Sequence, residues 1–126
     1  MDARVQWAMA YMERNLHRRL TVGELARQVN LSYWHFVRLF QAECCASQAH
    51  HLRDLRIRHG RELVAQTFLS IKEIAARVGI DESHFLREFR RVYGCPPARY
   101  RSIVILQQLI SDGQKYPQGT AQTANQ

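Results

Sequence analysis

The stretch LTVGELARQVNLSYWHFVRLF, residues 20–40, decides the fold, because the chain repeats it as LSIKEIAARVGIDESHFLREF at residues 69–89. The two stretches align without a gap. Their identical pairs include Glu24 with Glu73, Ala26 with Ala75, Val29 with Val78, His35 with His84, Phe36 with Phe85, Arg38 with Arg87 and Phe40 with Phe89. An internal repeat of this kind usually marks one supersecondary unit, so the chain is expected to contain that unit twice.

Each copy carries the start and stop signals of two short helices separated by a tight turn. The first helix begins with an S/T-x-x-E capping box and ends at a residue type that tolerates a left-handed backbone. A second N-cap residue follows almost at once and opens the second helix. In the two copies these positions are Thr21 and Ser70, Glu24 and Glu73, Asn30 and Gly79, and Ser32 and Asp81. Apolar residues recur at helical spacing, and the pattern predicts two helix-turn-helix motifs.

The second helix of such a motif enters the DNA major groove with its N-terminal side chains at the base edges. Removing the core-facing positions leaves these candidates for base contact: Tyr33, Trp34, Val37, Arg38 and Gln41 in the first copy, and Ser83, Leu86, Arg87 and Arg90 in the second. Arg38 and Arg87 suit bidentate contact with guanine. Trp34 has a competing interpretation as a partly buried packing residue. The matching His35 and His84 are expected at the helix–helix junction as core or hydrogen-bonding residues.

The chain is basic, with a formal net charge of +7 and a pI near 9.9. Lys72 and Lys115 are its only lysines, so arginine dominates, which favours fork-like contacts with phosphate and guanine. The candidates for phosphate contact are Thr21, Ser32, Ser70, Arg53, Arg56, Arg91 and Arg101. The arginines of residues 47–66 have a second interpretation as a solvated face paired with nearby carboxylates. Charge alone does not choose between DNA, RNA and membranes as partners.

Several other classes of protein are disfavoured by the sequence. No apolar run is long enough to span a membrane and no signal peptide is visible, so a cytoplasmic protein is expected. No nucleophile elbow, P-loop or HExxH pattern appears, so neither an enzyme nor a cofactor is expected. Cys44 and Cys45, with His50 and His51, lack the spacing of a zinc site, and no metal is expected. Incidental packing and redox sensing both remain open for the two cysteines.

The flanking segments complete an all-α protein of about seven helices. Residues 1–46 are expected to form the first helix-turn-helix subdomain, residues 47–66 a rigid connector helix, residues 67–111 the second subdomain, and the polar residues 112–126 a disordered tail. Gly60 in the connector is expected to mark a bend or a close crossing. The apolar residues of the last helix that are expected to pack on the second motif are Tyr100, Ile103, Val104, Leu106, Leu109 and Ile110.

Residues 4–105 resemble the DNA-binding domain of the AraC/XylS family of bacterial transcription regulators. The resemblance rests on both repeats, on the connector from Leu52 to Val64, and on the closing signature FRRVYGCPPARYR, residues 89–101. It implies two homeodomain-like helix-turn-helix subdomains joined by a rigid helix, with recognition helices at residues 32–42 and 82–92. It also places Trp34, Val37 and Arg38 at base-contacting positions. The family usually has glycine where this chain has Cys45, so the turn there is expected to be strained or shifted.

The resemblance further implies a sequence-specific regulator of transcription that binds double-stranded DNA at the bacterial nucleoid, usually an activator that touches RNA polymerase. Two motifs in one chain can read two half-sites about 10 bp apart, so a monomer can suffice. Glu82 and Glu88 lower the positive potential of the second recognition helix, which leaves a grip on the DNA backbone as its alternative role. The alternatives to a stand-alone regulator are a non-specific architectural DNA-binding protein and the DNA-binding fragment of a larger effector-responsive regulator.

Overall fold

The computed structural model describes residues 1–115, the last two without side-chain detail. Within that range the chain forms seven helices and no strand, which confirms the all-α prediction. The helices are α1 (Ala3–Arg14), α2 (Val22–Gln28), α3 (Tyr33–Cys44), α4 (Gln48–Gln66), α5 (Ile71–Val78), α6 (Glu82–Tyr93) and α7 (Pro97–Lys115). Residues 116–126 lie outside the described part of the chain, so the disorder expected there stays a prediction.

The helices form two subdomains, each built around one helix-turn-helix motif. In the first, α1 packs on α2 and α3 around Met12, Leu25, Phe36 and Phe40. The second core is made by α5 and α6, and its buried side chains are Ile57, Val64, Ile74, Ala75, Val78, Phe85 and Phe89. Tyr100 at the start of α7 packs edge-on against Phe89, with ring centroids 5.4 Å apart. Each recognition helix is thus held from behind by its own apolar core.

The connector helix α4 belongs to both cores. Leu55 is buried in the first core, whereas Ile57 and Val64 are buried in the second. Its N-cap is Ser47, whose hydroxyl accepts a hydrogen bond from the amide of His50 at 3.2 Å. Because α4 cannot move away from one subdomain without exposing its apolar side chains, its packing gives a physical basis for a rigid connection.

Gly60 lies where α4 crosses α6, and the structure assigns it to a close crossing rather than a bend. A Cβ atom at position 60 would lie 2.9 Å from Cζ of Phe85, and closer still to Cε1. Real Cβ contacts are not this short. Phe85 is fully buried, so its ring has no free space to move into. Glycine is therefore required here by packing and not by backbone conformation.

The predicted N-caps are present in both copies. Thr21, Ser32 and Ser70 accept hydrogen bonds from the amides of Glu24, His35 and Glu73 at 3.2, 3.3 and 3.1 Å, and Asp81 accepts one from the amide of His84 at 2.9 Å. The turn residues also behave as expected, since Asn30 and Gly79 have φ angles of 59° and 81°. Local signals in the sequence therefore locate both motifs correctly.

The two copies differ in what the capping-box glutamate does. Glu73 accepts a hydrogen bond from the hydroxyl of Ser70 at 3.1 Å. Glu24 instead accepts from the Tyr11 hydroxyl at 2.6 Å and forms an ion pair with Arg18. Those two donors lower the pKa of the Glu24 carboxyl from 4.5 to about 2. The carboxylate thus ties α1 and the segment that follows it to the start of α2.

The two subdomains also meet directly through the segment between α1 and α2. Nη2 of Arg56 in α4 donates a hydrogen bond to the carbonyl oxygen of Arg18 at 3.0 Å. The carbonyl of Leu16 lies so close to Gly79 that a Cβ atom there would collide with it. The turn of the second motif is therefore packed against the first subdomain, and the contact depends on glycine at position 79.

The last helix differs from the prediction. Tyr100 and Val104 are half-buried, but Ile103, Leu106, Leu109 and Ile110 are 40–63% exposed, so the expectation that these four pack on the second motif was wrong. The helix also continues to Lys115, past the predicted start of the disordered tail at residue 112. Periodicity identifies an apolar face but does not give the length of the surface that covers it.

No described helix is long and apolar enough to cross a membrane.

Cys45 ends α3 in the left-handed conformation, with φ of 56°. Gly94 ends α6 at the equivalent place with φ of 82°. Both copies therefore end the second helix with a left-handed residue, but the first copy has cysteine where the second has glycine, which adopts this conformation without strain. This agrees with the strained turn expected at Cys45.

Replacing Gly60 with Ala is expected to lower the free energy of unfolding by up to about 2 kcal/mol. Overpacking against Phe85 costs about 1–3 kcal/mol, and the better helix propensity of alanine returns about 1 kcal/mol of it. Urea denaturation monitored by circular dichroism measures the change. Gly113→Ala in α7 is the matched control, since a Cβ there meets nothing within 4 Å. A Gly60→Ala variant as stable as Gly113→Ala, relative to the unchanged chain, would contradict the close crossing.

Cys45→Gly is expected to raise the free energy of unfolding by about 0.5–1 kcal/mol, because glycine relieves the left-handed strain and the exposed thiol contributes little packing. The reciprocal change, Gly94→Ala, should destabilise by about 1 kcal/mol, since its Cβ would meet no neighbour and only the backbone is strained. Thermal unfolding under reducing conditions compares the two variants. A destabilised Cys45→Gly would show that the thiol itself is needed.

Candidate nucleic-acid interface

The first recognition helix, α3, presents its predicted base-contacting residues to solvent. Trp34 is 65% exposed and Tyr33 47%, so the interpretation of Trp34 as a partly buried packing residue was wrong. The two rings contact each other edge-to-face, with centroids 4.9 Å apart. Arg38 and Gln41 are also exposed, and Val37 is half-buried. Large apolar rings on a solvated helix face are typical of a binding surface.

The second recognition helix, α6, has the same arrangement. Ser83, Arg87 and Arg90 are exposed, and Leu86 is 39% exposed. Arg87 occupies the position in α6 that Arg38 occupies in α3, since each arginine lies two residues after a buried phenylalanine, Phe85 or Phe36. Each subdomain therefore offers one guanidinium at the same place on its recognition helix, with the geometry that guanine O6 and N7 can accept.

The histidine pair does not have the expected role. His35 is exposed and His84 is half-buried, so neither is a core residue. Their backbone amides, rather than their rings, make the capping hydrogen bonds to Ser32 and Asp81. The N3 position of a capped helix points its amide at the cap, and this leaves the side chain free to face outward. Identity between the copies was a poor guide to burial at this position.

The predicted phosphate-contacting residues fall into two groups. Thr21, Ser32, Ser70, Arg53 and Arg91 are exposed. Arg56 and Arg101 are half-buried and directed at the protein backbone, where Arg101 donates from Nε to the carbonyl of Val64 at 3.0 Å. The structure gives these two arginines a packing role, because Arg56 ties α4 to the segment between α1 and α2, and Arg101 ties α7 to α4. The sequence pattern could not separate the two groups, since the four arginines look alike without tertiary contacts.

Glu88 reduces the positive charge that α6 can offer. Its carboxylate accepts a hydrogen bond from Nε of Arg91 at 2.6 Å, and this bond holds the pKa of Glu88 below its usual value. Glu88 is therefore ionised near neutral pH, and its carboxylate is paired with the guanidinium of Arg91. Glu82 adds a second exposed carboxylate in the first turn of the same helix. The α3 face carries no ion pair of this kind among the described residues.

The described residues contain no group of three potential ligands that could hold a metal ion. Cys44, Cys45 and Cys95 are all free thiols. Burial raises the pKa of the Cys44 thiol, which lowers its thiolate fraction and its reactivity at neutral pH. Cys45 is exposed, but its place in the fold is explained by the backbone turn it forms.

Comparison with known proteins identifies the family to which this chain belongs. A model of the helix-turn-helix domain family matches residues 25–103, which is more than half of the chain. The chain belongs to the AraC-type helix-turn-helix family. The C-terminal domain of AraT, a response regulator from Geobacillus stearothermophilus, is 30% identical with a TM-score of 0.73, over 81% of this chain and 86% of that one. The DNA-binding domain of AdpA, solved in complex with a target DNA, shares the fold with a TM-score of 0.76 at 24% identity, over 84% of this chain and 96% of that one.

Two curated relatives come from Pseudomonas aeruginosa. The MmsAB operon regulatory protein is 35% identical over 96 residues, and the HTH-type transcriptional regulator GbdR is 36% identical over 95 residues. Each alignment covers 75% of this chain but only 31% and 26% of the relative. The chain therefore spans about a third or less of the length of these relatives. The AraC-type family and these neighbours are DNA-binding transcription regulators.

Glu88→Gln is expected to strengthen DNA binding several-fold, because it frees Arg91 for a phosphate. If Arg91 gains one phosphate contact, the slope of log K against log salt concentration should steepen by about 0.9. Fluorescence anisotropy on one duplex at several salt concentrations measures both quantities. Glu62→Gln, an exposed charge change on α4, is the control. An unchanged slope in Glu88→Gln would show that Arg91 does not reach the DNA backbone.

Proposed function

We propose that this AraC-type DNA-binding chain recognises a bipartite site near a promoter, with α3 and α6 in successive major grooves. The observation that carries the proposal is that Arg38 and Arg87 are exposed at equivalent positions of two recognition helices joined through one connector packed into both cores. Two such helices in one chain need no second copy to read two half-sites, so we propose that a monomer is sufficient. The two half-sites would lie about one helical turn, or 10 bp, apart.

The two helices are not proposed to contribute equally. In α3, Trp34, Val37 and Arg38 would contact base edges, the arginine at guanine and the apolar side chains at thymine methyl groups. In α6, Arg87 would contact a base, while the carboxylates of Glu82 and Glu88 repel nearby phosphates. Thr21, Ser32, Ser70 and Arg53 would contact phosphates and fix the register of the protein on the duplex. Sequence preference is therefore expected to be stronger in the half-site bound by α3.

We further propose that the protein acts at the bacterial nucleoid as a transcription activator that contacts RNA polymerase. The support is the relationship to transcription regulators such as the MmsAB operon regulatory protein and GbdR. Binding beside a promoter would bring the exposed surfaces of the two subdomains close to the polymerase. Transcription in vitro from a promoter with the selected site next to it tests this part, and a repressed transcript would contradict activation.

Selection of bound duplexes from a random-sequence pool at about 150 mM salt tests the bipartite site directly, because near-physiological ionic strength weakens non-specific phosphate contacts. Two short enriched boxes about one turn apart are expected. One box alone would mean that α6 only grips the DNA backbone. The absence of any enrichment would contradict sequence-specific reading and favour an architectural DNA-binding protein.

Arg38→Ala is expected to cost about 1–3 kcal/mol of binding free energy on the selected site and to relax preference at one base pair. The reason is the loss of a bidentate contact that only one base can accept. Competition binding with single-base variants of the site measures both effects. Arg58→Ala removes the same charge from an exposed position of α4 and serves as the control. An equal loss of affinity on every duplex would show that Arg38 contacts phosphate instead.

A further inference from the structure

A cleft of about 240 Å³ lies between the two subdomains. We call it the inter-subdomain cleft. Val22 and Leu25 of α2 form one wall, Leu52 and Ile57 of α4 form the floor, and Ile80 before α6 lies on the other wall. Most of its surface is apolar, as in sites that bind small organic molecules. Its volume is below the range of roughly 300–1,000 Å³ typical for drug-sized ligands, so it suits a smaller one.

The polar side chains of the cleft include an unusual guanidinium. Arg56 lines the cleft, and its Nε is buried and donates to no acceptor among the described residues. Within residues 1–115, one of its nitrogens, Nη2, makes a hydrogen bond, to the carbonyl of Arg18. Burial lowers the pKa of Arg56, which reflects the cost of holding this charge away from water. The guanidinium of Arg56 thus has more donors than acceptors, and an anion in the cleft would offset its charge.

The other titratable groups at the cleft leave this positive charge unbalanced. Arg53 is an exposed second guanidinium at the rim. Glu88 also lines the cleft, and its carboxylate accepts a hydrogen bond from Arg91 on its own helix. His84 lines the cleft one helical turn before Glu88. The cleft therefore combines an apolar floor with a positively charged side.

We propose that the inter-subdomain cleft binds a small amphipathic carboxylate, with its carboxylate at Arg56 and Arg53 and its aliphatic or aromatic body against Leu52, Ile57 and Ile80. A charge-assisted hydrogen bond to a guanidinium supplies orientation, and burial of the apolar body supplies affinity. A neutral ligand would leave the charge of Arg56 unbalanced. Arg53 is also a proposed phosphate contact, so ligand binding is tested without DNA.

Such a ligand would contact both subdomains at once. Val22 and Leu25 belong to the first motif, whereas Ile80 and His84 belong to the second. Occupancy would add apolar contacts between the two subdomains and so reinforce the rigid connection that α4 provides.

The test is a titration of the ¹⁵N-labelled chain with octanoate, followed by amide chemical shifts, and a parallel titration with octanamide. Octanoate is expected to give saturable shifts centred on Ala49, Leu52 and Ile80. Octanamide has the same chain without the charge and should bind at least about tenfold more weakly, which corresponds to one charge-assisted hydrogen bond. Equal affinities for the two probes would overturn the assignment of the head group, and shifts that do not saturate or lie elsewhere would overturn the site.

Three variants locate the binding. Arg56→Gln should weaken octanoate about tenfold and octanamide much less, because octanamide carries no charge for Arg56 to balance; the change also removes the hydrogen bond to the carbonyl of Arg18. Ala49→Phe changes an exposed residue that lines the cleft, so it should fold normally and block both probes. Arg58→Gln removes the same charge from the same helix outside the cleft and should change nothing. Undiminished octanoate binding in Ala49→Phe would place the ligand elsewhere and refute the proposal, even if Arg56→Gln disturbed the contact between the subdomains.

Discussion

The burial of one connector helix in two cores is the constraint on which the rest of the structure depends. Leu55 of α4 completes the first core, and Ile57 and Val64 complete the second. The close crossing at Gly60 brings α4 against Phe85, which lies near the N-terminal end of the second recognition helix. The positions of α3 and α6 relative to each other thus follow from ordinary apolar packing around a single helix. Without that packing, the two motifs would be independent DNA-binding units on a flexible chain.

Much of the fold could be predicted from the sequence because its signals are local. Each helix start is marked by an N-cap residue whose side chain binds a backbone amide three residues later, so the signal is short-range. These N-caps are Thr21, Ser32, Ser70 and Asp81. Because the repeat has no gap, the helix boundaries predicted for one copy could be compared with those of the other. The predicted turn is confirmed by the left-handed conformations of Asn30 and Gly79. The exposed faces of α3 and α6 followed from the same periodicity, which is why Trp34, Arg38 and Arg87 were found without tertiary information.

What the sequence could not show depends on contacts between distant segments. Glu24 has the spacing of a capping box, but it binds Arg18 and Tyr11, and no local rule ranks those partners. Arg56 and Arg53 look equivalent on one helix, yet only Arg56 turns toward the carbonyl of Arg18. The apolar face of α7 was correctly seen as apolar, but its second half extends beyond the body that was expected to cover it. Periodicity predicts which residues share a face, and it does not predict what lies opposite that face.

The central claim is that the connector fixes the distance and angle between two recognition helices that read one DNA site. It is tested most directly by measuring affinity for the selected duplex after inserting about 5 bp between its two half-sites, because half a helical turn moves one half-site to the opposite side of the DNA. A rigid connector predicts that affinity falls to that of a duplex with one half-site. Unchanged affinity after the insertion would contradict the account, since it would mean that the two motifs move independently or that only one of them reads the DNA.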